Sequence, residues 1–292
     1  MFLNYLKLLR SRQWTKNIFI LLPVLFGEVW KTMPPERILV LSGSAFAAFC
    51  MWSSAGYILN DIFDRHADAT HPRKKKRPIA SGKISIASAL GFALLLVCLG
   101  GAAAIHLPRM VSLIGVAYLL NTMLYCVWLK KQVLLDVFSI ALGFVLRVLA
   151  GCAALSLVPS NWILVCTFTL AIFLGFGKRR MEVACLTNGQ ETDFRAVLAQ
   201  YSSEYLNFLL SVSGTVSLMA YLLYTLSPET FTHHETQNLI YSVPFVFYGV
   251  FRYSQDAMNG LYDGPDEVLL HDRPFLICAF LWVLSVAWIL AR

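Results

Sequence analysis

The stretch ILVLSGSAFAAFCMWSSAGYILN (38–60) runs directly into DIFDRHAD (61–68), and this junction decides the fold. From Ile38 to Asn60 there is no charged residue. At a rise of about 1.5 Å per residue, such a run crosses a hydrocarbon core of roughly 30 Å as one helix. The carboxylates of Asp61, Asp64 and Asp68 follow at spacings of three and four, which on a continued helix puts all three on one face. Like charges so placed repel unless they share a cation. Mg2+ takes hard oxygen ligands and is commonly completed by water and substrate phosphates. The junction predicts a phosphate-handling enzyme working at a membrane surface.

The rest of the chain repeats the apolar signal. Of 292 residues, 58% are hydrophobic and 14% charged, far too apolar for a soluble domain of this length. Nine apolar stretches are expected to be spans, at about 17–30, 38–60, 84–106, 110–129, 133–156, 161–177, 204–226, 238–252 and 274–291. The first contains Pro23 and is short. The expected fold is all-α, one polytopic membrane domain over residues 1–292. With the N-terminus inside, inner segments carry 19 of the 24 Lys and Arg, among them Arg73 and Arg195, so the acidic motif falls on the cytoplasmic side. The first apolar run lacks a small-residue cleavage site before Pro34-Pro35 and reads as a retained helix. Seven cysteines, without a CxxC pair and mostly inside spans, read as small packing residues.

Three inner connections are long, 61–83, 178–203 and 253–273, and loops of that length are usually functional or disordered. In HPRKKKRPIASGK (71–83), Lys74 to Lys76 read as an anchor on anionic lipid heads. Arg77 and Lys83, each beside a conformational marker (Pro78, Gly82), are better placed as phosphate ligands. GKRRME (177–182) lacks the GxxxxGK[ST] spacing and a preceding strand, which excludes a P-loop. As a helix end it puts Lys178, Arg179 and Glu182 on one face. Arg147 is the one basic residue inside an expected span. A charge there needs a partner or a polar cavity, so Arg147 either pairs with an acid or lines the site. Asp136 lies about three turns away, too far for a helix-local pair. In RQWTKN (12–17), Trp14 reads as an interfacial anchor, while Lys16 and Asn17 are able to point into a cavity from the helix end. The last inner loop, with Asp263, Asp266 and Glu267, reads either as a lid or second metal contact or as a solvated loop. His66, His71 and His271 lack the spacing of a zinc site.

These motifs together resemble the UbiA superfamily of intramembrane prenyltransferases, whose NDxxDxxxD motif reads here as Asn60, Asp61, Asp64 and Asp68. RQWTKN, NDIFDRHAD, HPRKKKRPIASG, LLDVFSIALGFVLRVLAG and GKRRMEVA are similar to the decaprenyl-phosphate phosphoribosyltransferase branch, over nearly the whole chain. The resemblance implies nine helices around a central cavity, with Mg2+ between acidic loops. It also implies 5-phosphoribosyl 1-diphosphate as donor and a polyprenyl phosphate as acceptor. Most members carry a second acidic motif, DxxxD, where this chain has KRRME (178–182), a departure that favours a donor with an extra phosphate to be clamped. On this reading Asp61 and Asp64 are catalytic and, with Asp68, hold the metal. Arg77, Lys83, Lys178 and Arg179 bind the donor's sugar phosphate and diphosphate, Lys16 and Arg147 meet the acceptor phosphate, and Asn60 and Glu182 also contact substrate. Two alternatives stand beside it, transfer of a prenyl diphosphate to an aromatic acceptor and transport of a lipid phosphate. Membrane lipids are expected partners, nucleic acid is not, and an oligomer is left open. The expected location is a bacterial-type inner membrane.

Overall fold

The computed structural model describes residues 2–70, 74–187, 196–262 and 264–291. His71, Arg73, Arg195 and Asp263 lie outside them. The described residues are helical and hold no strand. They form two compact units, residues 1–159 and 160–292.

In the first unit, α1 (Phe2–Leu9) leads into a 3-10 helix (Ser11–Leu21) and the short α2 (Leu22–Phe26). The long α3 (Pro35–Phe63) starts at a proline in its first turn, with Glu36 beside it at the positive end of the helix dipole. It stops at Asp64, and α4 (Arg65–Thr70) restarts one residue later. Ser85 caps α5 (Ile86–Ala103) by accepting from the Ser88 backbone N–H at 3.2 Å. Then come α6 (Arg109–Val127) and α7 (Leu135–Ala154).

These helices pack by placing one large ring among small residues. The buried Trp52 indole of α3 lies over Gly100 of α5 and Gly115 of α6, where an added Cβ would overlap it. Its Nε1 donates to the Val97 carbonyl at 3.3 Å, and Phe49 meets it edge-on with centroids 5.2 Å apart. Small residues that admit close approach are the usual means of association in lipid, where apolar surface gains little by leaving apolar solvent. The opposite face of α5 exposes Leu90, Leu94, Leu95 and Leu99, as a lipid-facing surface would.

The second unit contains α8 (Asn161–Thr187), α9 (Ser203–Leu226), α10 (Pro228–His234), α11 (Val243–Asn259), α12 (Pro265–His271) and α13 (Arg273–Leu290). Ser202 and Asp272 cap α9 and α13 through the N–H groups of Tyr205 and Phe275. Gly260, at φ 63°, ends α11 in the left-handed region.

Seven of these helices are long and apolar enough to cross a membrane among the described residues: α3, α5, α6, α7, α8, α9 and α13. Two of the nine expected spans fall elsewhere. The segment 17–30 is divided between a 3-10 helix and the five-residue α2, where Pro23 starts a new helix. The segment 238–252 is shared by a 3-10 turn (Asn238–Ser242) and the 17-residue α11. The protein is an integral membrane protein.

Candidate active site

The acidic motif does not stay on one continuous helix. Because α3 ends at Asp64, the three carboxylates separate into a pair and a single group. Asp61 and Asp68 are both buried, and the Nη1 of Arg77 donates to both, at 3.1 Å to Asp61 and 2.7 Å to Asp68. Arg10 makes a second ion pair with Asp61, and Lys74 approaches Asp68 at 4.0 Å. Asp64, more exposed, accepts from Lys130 Nζ at 2.6 Å and from the Asn60 amide at 3.0 Å. Lys130 also donates to Asn60 Oδ1 at 3.3 Å.

Local structure places each of these cations. Arg77 follows the 3-10 turn Lys74–Lys76 and precedes the buried Pro78 and Ile79, which bring the loop back against α3. Lys130 comes just after α6 ends, in the 3-10 turn Leu129–Lys131. Arg10 turns the chain between α1 and the next helix at φ 48°, a region that non-glycine residues rarely occupy. Burial pushes its guanidinium below its ordinary pKa, and the Asp61 charge opposes that shift. Removing Arg77 withdraws a counter-charge from two buried carboxylates at once, a costly change in a low-dielectric setting.

The donor set suits a hard divalent cation: three carboxylates and an amide oxygen within one helix turn and its continuation. Among the described residues, no group of three His, Cys, Asp or Glu side chains already converges to hold a metal ion. The Arg77 nitrogen, within hydrogen-bond distance of both Asp61 and Asp68, is a stand-in for a shared cation. The residues fit Mg2+ by chemistry and by this stand-in.

Arg147 belongs to a different arrangement. Its Nε donates to Asn17 Oδ1 at 2.7 Å, Nη1 to the Gly143 carbonyl at 2.8 Å and Nη2 to the Tyr118 hydroxyl at 2.9 Å. The guanidinium also lies over the Tyr118 and Phe144 rings, at 4.7 Å and 5.4 Å from their centroids. Asn17 in turn donates to Ser53 Oγ and Cys50 Sγ of α3, both at 3.3 Å. Of the two sequence readings, an acid pair or a site-lining charge, the contacts show neutral acceptors and aromatic faces. Trp14, expected to be an interfacial anchor, donates to Ser54 Oγ at 3.1 Å, so RQWTKN docks onto α3. Lys16 is half-buried on the same 3-10 helix, and Lys83 is exposed beyond the acidic cluster's ion pairs.

In the second unit, Arg179 and Glu182 are both buried and form an ion pair at 2.7 Å within α8. Arg180 donates to Asn207 of α9 at 2.7 Å, and the Lys178 stem runs beside the Gly264 backbone. Arg252 binds Asp272 at 2.6 Å, and this hydrogen bond holds the Asp272 carboxyl below its usual range. Burial pushes the neighbouring Asp256 up.

Sequence reasoning missed Arg10 and Lys130. Lys130 directly follows the uncharged run 110–129, and Arg10 precedes RQWTKN; both belong to the 19 inner basic residues. The available signal was that each lies at the inner end of an expected span, on the same side as the acidic motif.

Comparison with known proteins places this geometry in a family. The UbiA prenyltransferase family matches residues 20–181. The chain belongs to the UbiA family. It is 31% identical to the decaprenyl-phosphate phosphoribosyltransferase of Corynebacterium glutamicum, covering 96% of this chain and 85% of that protein. It is 30% identical to the protein of the same name from Mycobacterium tuberculosis, covering 96% and 92%. Among solved structures, a UbiA homologue from Archaeoglobus fulgidus bound to GPP and Mg2+ matches with a TM-score of 0.70 and 18% identity, over 99% of this chain and 100% of that one. The fold is therefore that of UbiA proteins, and the chain is a membrane transferase of that family.

Proposed function

We propose that this UbiA-family chain transfers 5-phosphoribose from 5-phosphoribosyl 1-diphosphate to a decaprenyl-like polyprenyl phosphate, releasing diphosphate. The observation that carries this reading is the near full-length similarity to two decaprenyl-phosphate phosphoribosyltransferases. The acidic cluster ringed by cations supports it, because a diphosphate leaving group needs both metal ligands and positive side chains.

Asp61, Asp64 and Asp68, with Asn60, are the groups that would hold Mg2+. When bound, the metal supplies Lewis-acid stabilisation of the charge that develops on the departing diphosphate. Arg77, Arg10 and Lys130 bind and orient that diphosphate. In the transfer, the bond between ribose C1 and the diphosphate oxygen breaks, and its electron pair leaves with diphosphate. A phosphate oxygen of the polyprenyl phosphate forms the new bond to C1 from the opposite face. The acceptor is already ionised, so no general base is needed, and positioning and charge complementarity dominate. Within the second unit, Lys178 and Arg179, the latter paired with Glu182, are proposed as phosphate-binding residues; within the first, Lys83 is proposed for donor approach and Lys16 for the acceptor phosphate. For Arg147 the proposed acceptor role is indirect, through the fixed position of Asn17. The site is proposed to face the cytoplasm of a bacterial-type inner membrane, since the basic inner segments include those around the motif.

The test is transfer of labelled phosphoribosyl diphosphate by detergent-purified protein into an organic-extractable product. The expected product requires Mg2+ and polyprenyl phosphate together. Turnover of a prenyl diphosphate on an aromatic acceptor, without that product, would reject the assignment and leave the family intact.

A further inference from the structure

The acidic cluster is closed by the chain's own cations, and this has a consequence for how it loads. Asp61 and Asp68 are each 3% exposed, and Arg77 Nη1 binds both. Arg10 adds a second cation to Asp61, and Lys130 with Asn60 covers Asp64. All three carboxylates are thus compensated without a metal.

We propose that Arg77, with Arg10 and Lys130, acts as a resident counter-ion that makes the divalent metal and the diphosphate load together. A divalent ion alone must displace cations, each only partly exposed, that would then be left near it without an anion. Like charges in such a setting are strongly disfavoured. A diphosphate removes that obstacle, because its oxygens accept charge-assisted hydrogen bonds, bidentate ones from guanidinium. The cations move from carboxylate to phosphate, and the freed carboxylates take the metal. Coupling of this kind is reciprocal: whatever factor diphosphate adds to metal affinity, metal adds to diphosphate affinity. The ion pairs also keep the cluster ordered when empty, since no buried carboxylate waits uncompensated. This inference rests on the proposed role of the cluster as the donor's diphosphate site. It goes beyond that role in stating an order: neither metal first nor diphosphate first, but the two as one unit.

The test measures metal binding rather than turnover. Full-length protein in detergent is titrated with Mn2+ at matched free-ion concentrations, with and without saturating inorganic diphosphate, and protein-bound Mn2+ is separated from the Mn2+–diphosphate complex in solution by equilibrium dialysis. Wild type is expected to hold Mn2+ alone at least about tenfold more weakly than with diphosphate. Arg77→Gln removes the competing cation, so it should bind Mn2+ alone about tenfold more tightly than wild type and lose most of the coupling. Arg77→Lys keeps the charge and should retain the coupling in large part. Equal Mn2+ affinity of wild type with and without diphosphate overturns the proposal. So does a folded Arg77→Gln protein that binds Mn2+ alone no better than wild type. If Arg77→Gln does not fold, Arg10→Gln carries the same expectation at Asp61. Coupling in a protein that fails to transfer phosphoribose would reject the donor and support the exchange; transfer with uncoupled loading would do the reverse.

Discussion

Arg77 and Arg147 are both arginines of the first unit with several hydrogen bonds, and they are held in opposite ways. Arg77 lies between two carboxylates, whereas Arg147 is bound by an amide oxygen, a carbonyl, a phenol and two aromatic rings. A cation bound by carboxylates can be exchanged for another cation, since the anions remain suitable ligands. A cation bound by neutral dipoles and π faces is part of the packing, because what remains after its loss is a set of unsatisfied polar groups. The difference separates chemistry from architecture within one unit.

The largest effect is expected at the exchangeable end. Asp61→Asn keeps the size of the side chain but removes a charge from the cluster, and the rate of phosphoribosyl transfer should fall about 10²- to 10³-fold. Membrane insertion and expression should be retained. Initial rates on matched amounts of purified protein check this, and near-normal activity would remove the metal-site reading.

Arg147→Ala should act on stability instead. It leaves Asn17 Oδ1 and the Tyr118 hydroxyl without their buried donor, at a cost of about 2–5 kcal/mol. A lower thermal midpoint in detergent is the readout. Arg147→Lys should recover only part of it, because an ammonium cannot reproduce the planar fork that reaches three acceptors. Activity lost at unchanged stability would break the comparison and place Arg147 on the acceptor phosphate.

Lys130→Gln is expected to raise the KM for the donor about tenfold. Its effect on stability should be under about 1 kcal/mol, since Asp64 is the most exposed of the three carboxylates and can be solvated. Donor saturation curves beside melting curves distinguish this from a packing defect.

The smallest effect concerns the second unit. Arg252 holds the Asp272 carboxyl below its ordinary value, so the pair contributes stability above the unfolded carboxylate range, near about pH 4. That contribution is lost as pH falls through the lower folded value. Wild type should therefore lose stability more steeply than Asp272→Asn below about pH 4, as followed by melting curves at stepped pH.

The spans were legible because uncharged runs of about 20 residues have few alternatives to membrane helices. What the sequence concealed was the state of shorter segments. Around Pro23 the chain folds as a 3-10 helix followed by a five-residue helix, since packing of Asn17 and Ile20 against the first unit's core outweighs the apolar pattern. The acidic motif was visible, and its spacing placed three carboxylates on one face. The break at Asp64 was not visible, because no Pro or Gly marks it. Arg10 and Lys130 were hidden in plain view. A basic residue at a span's inner end satisfies the positive-inside rule whether or not it also faces a carboxylate, so composition cannot tell the two apart. Arg147 was singled out correctly as a charge requiring an explanation, while its partners, Asn17 and Tyr118, lie 130 and 29 residues away and have no local signature.

Phosphoribosyl transfer is decided by the mass of the lipid product formed when purified protein is offered phosphoribosyl diphosphate, a prenyl diphosphate, polyprenyl phosphate and an aromatic acceptor together with Mg2+. The expected product is polyprenyl phosphate carrying one added phosphoribose, with diphosphate released. A prenylated aromatic product, with the polyprenyl phosphate unchanged, would contradict it.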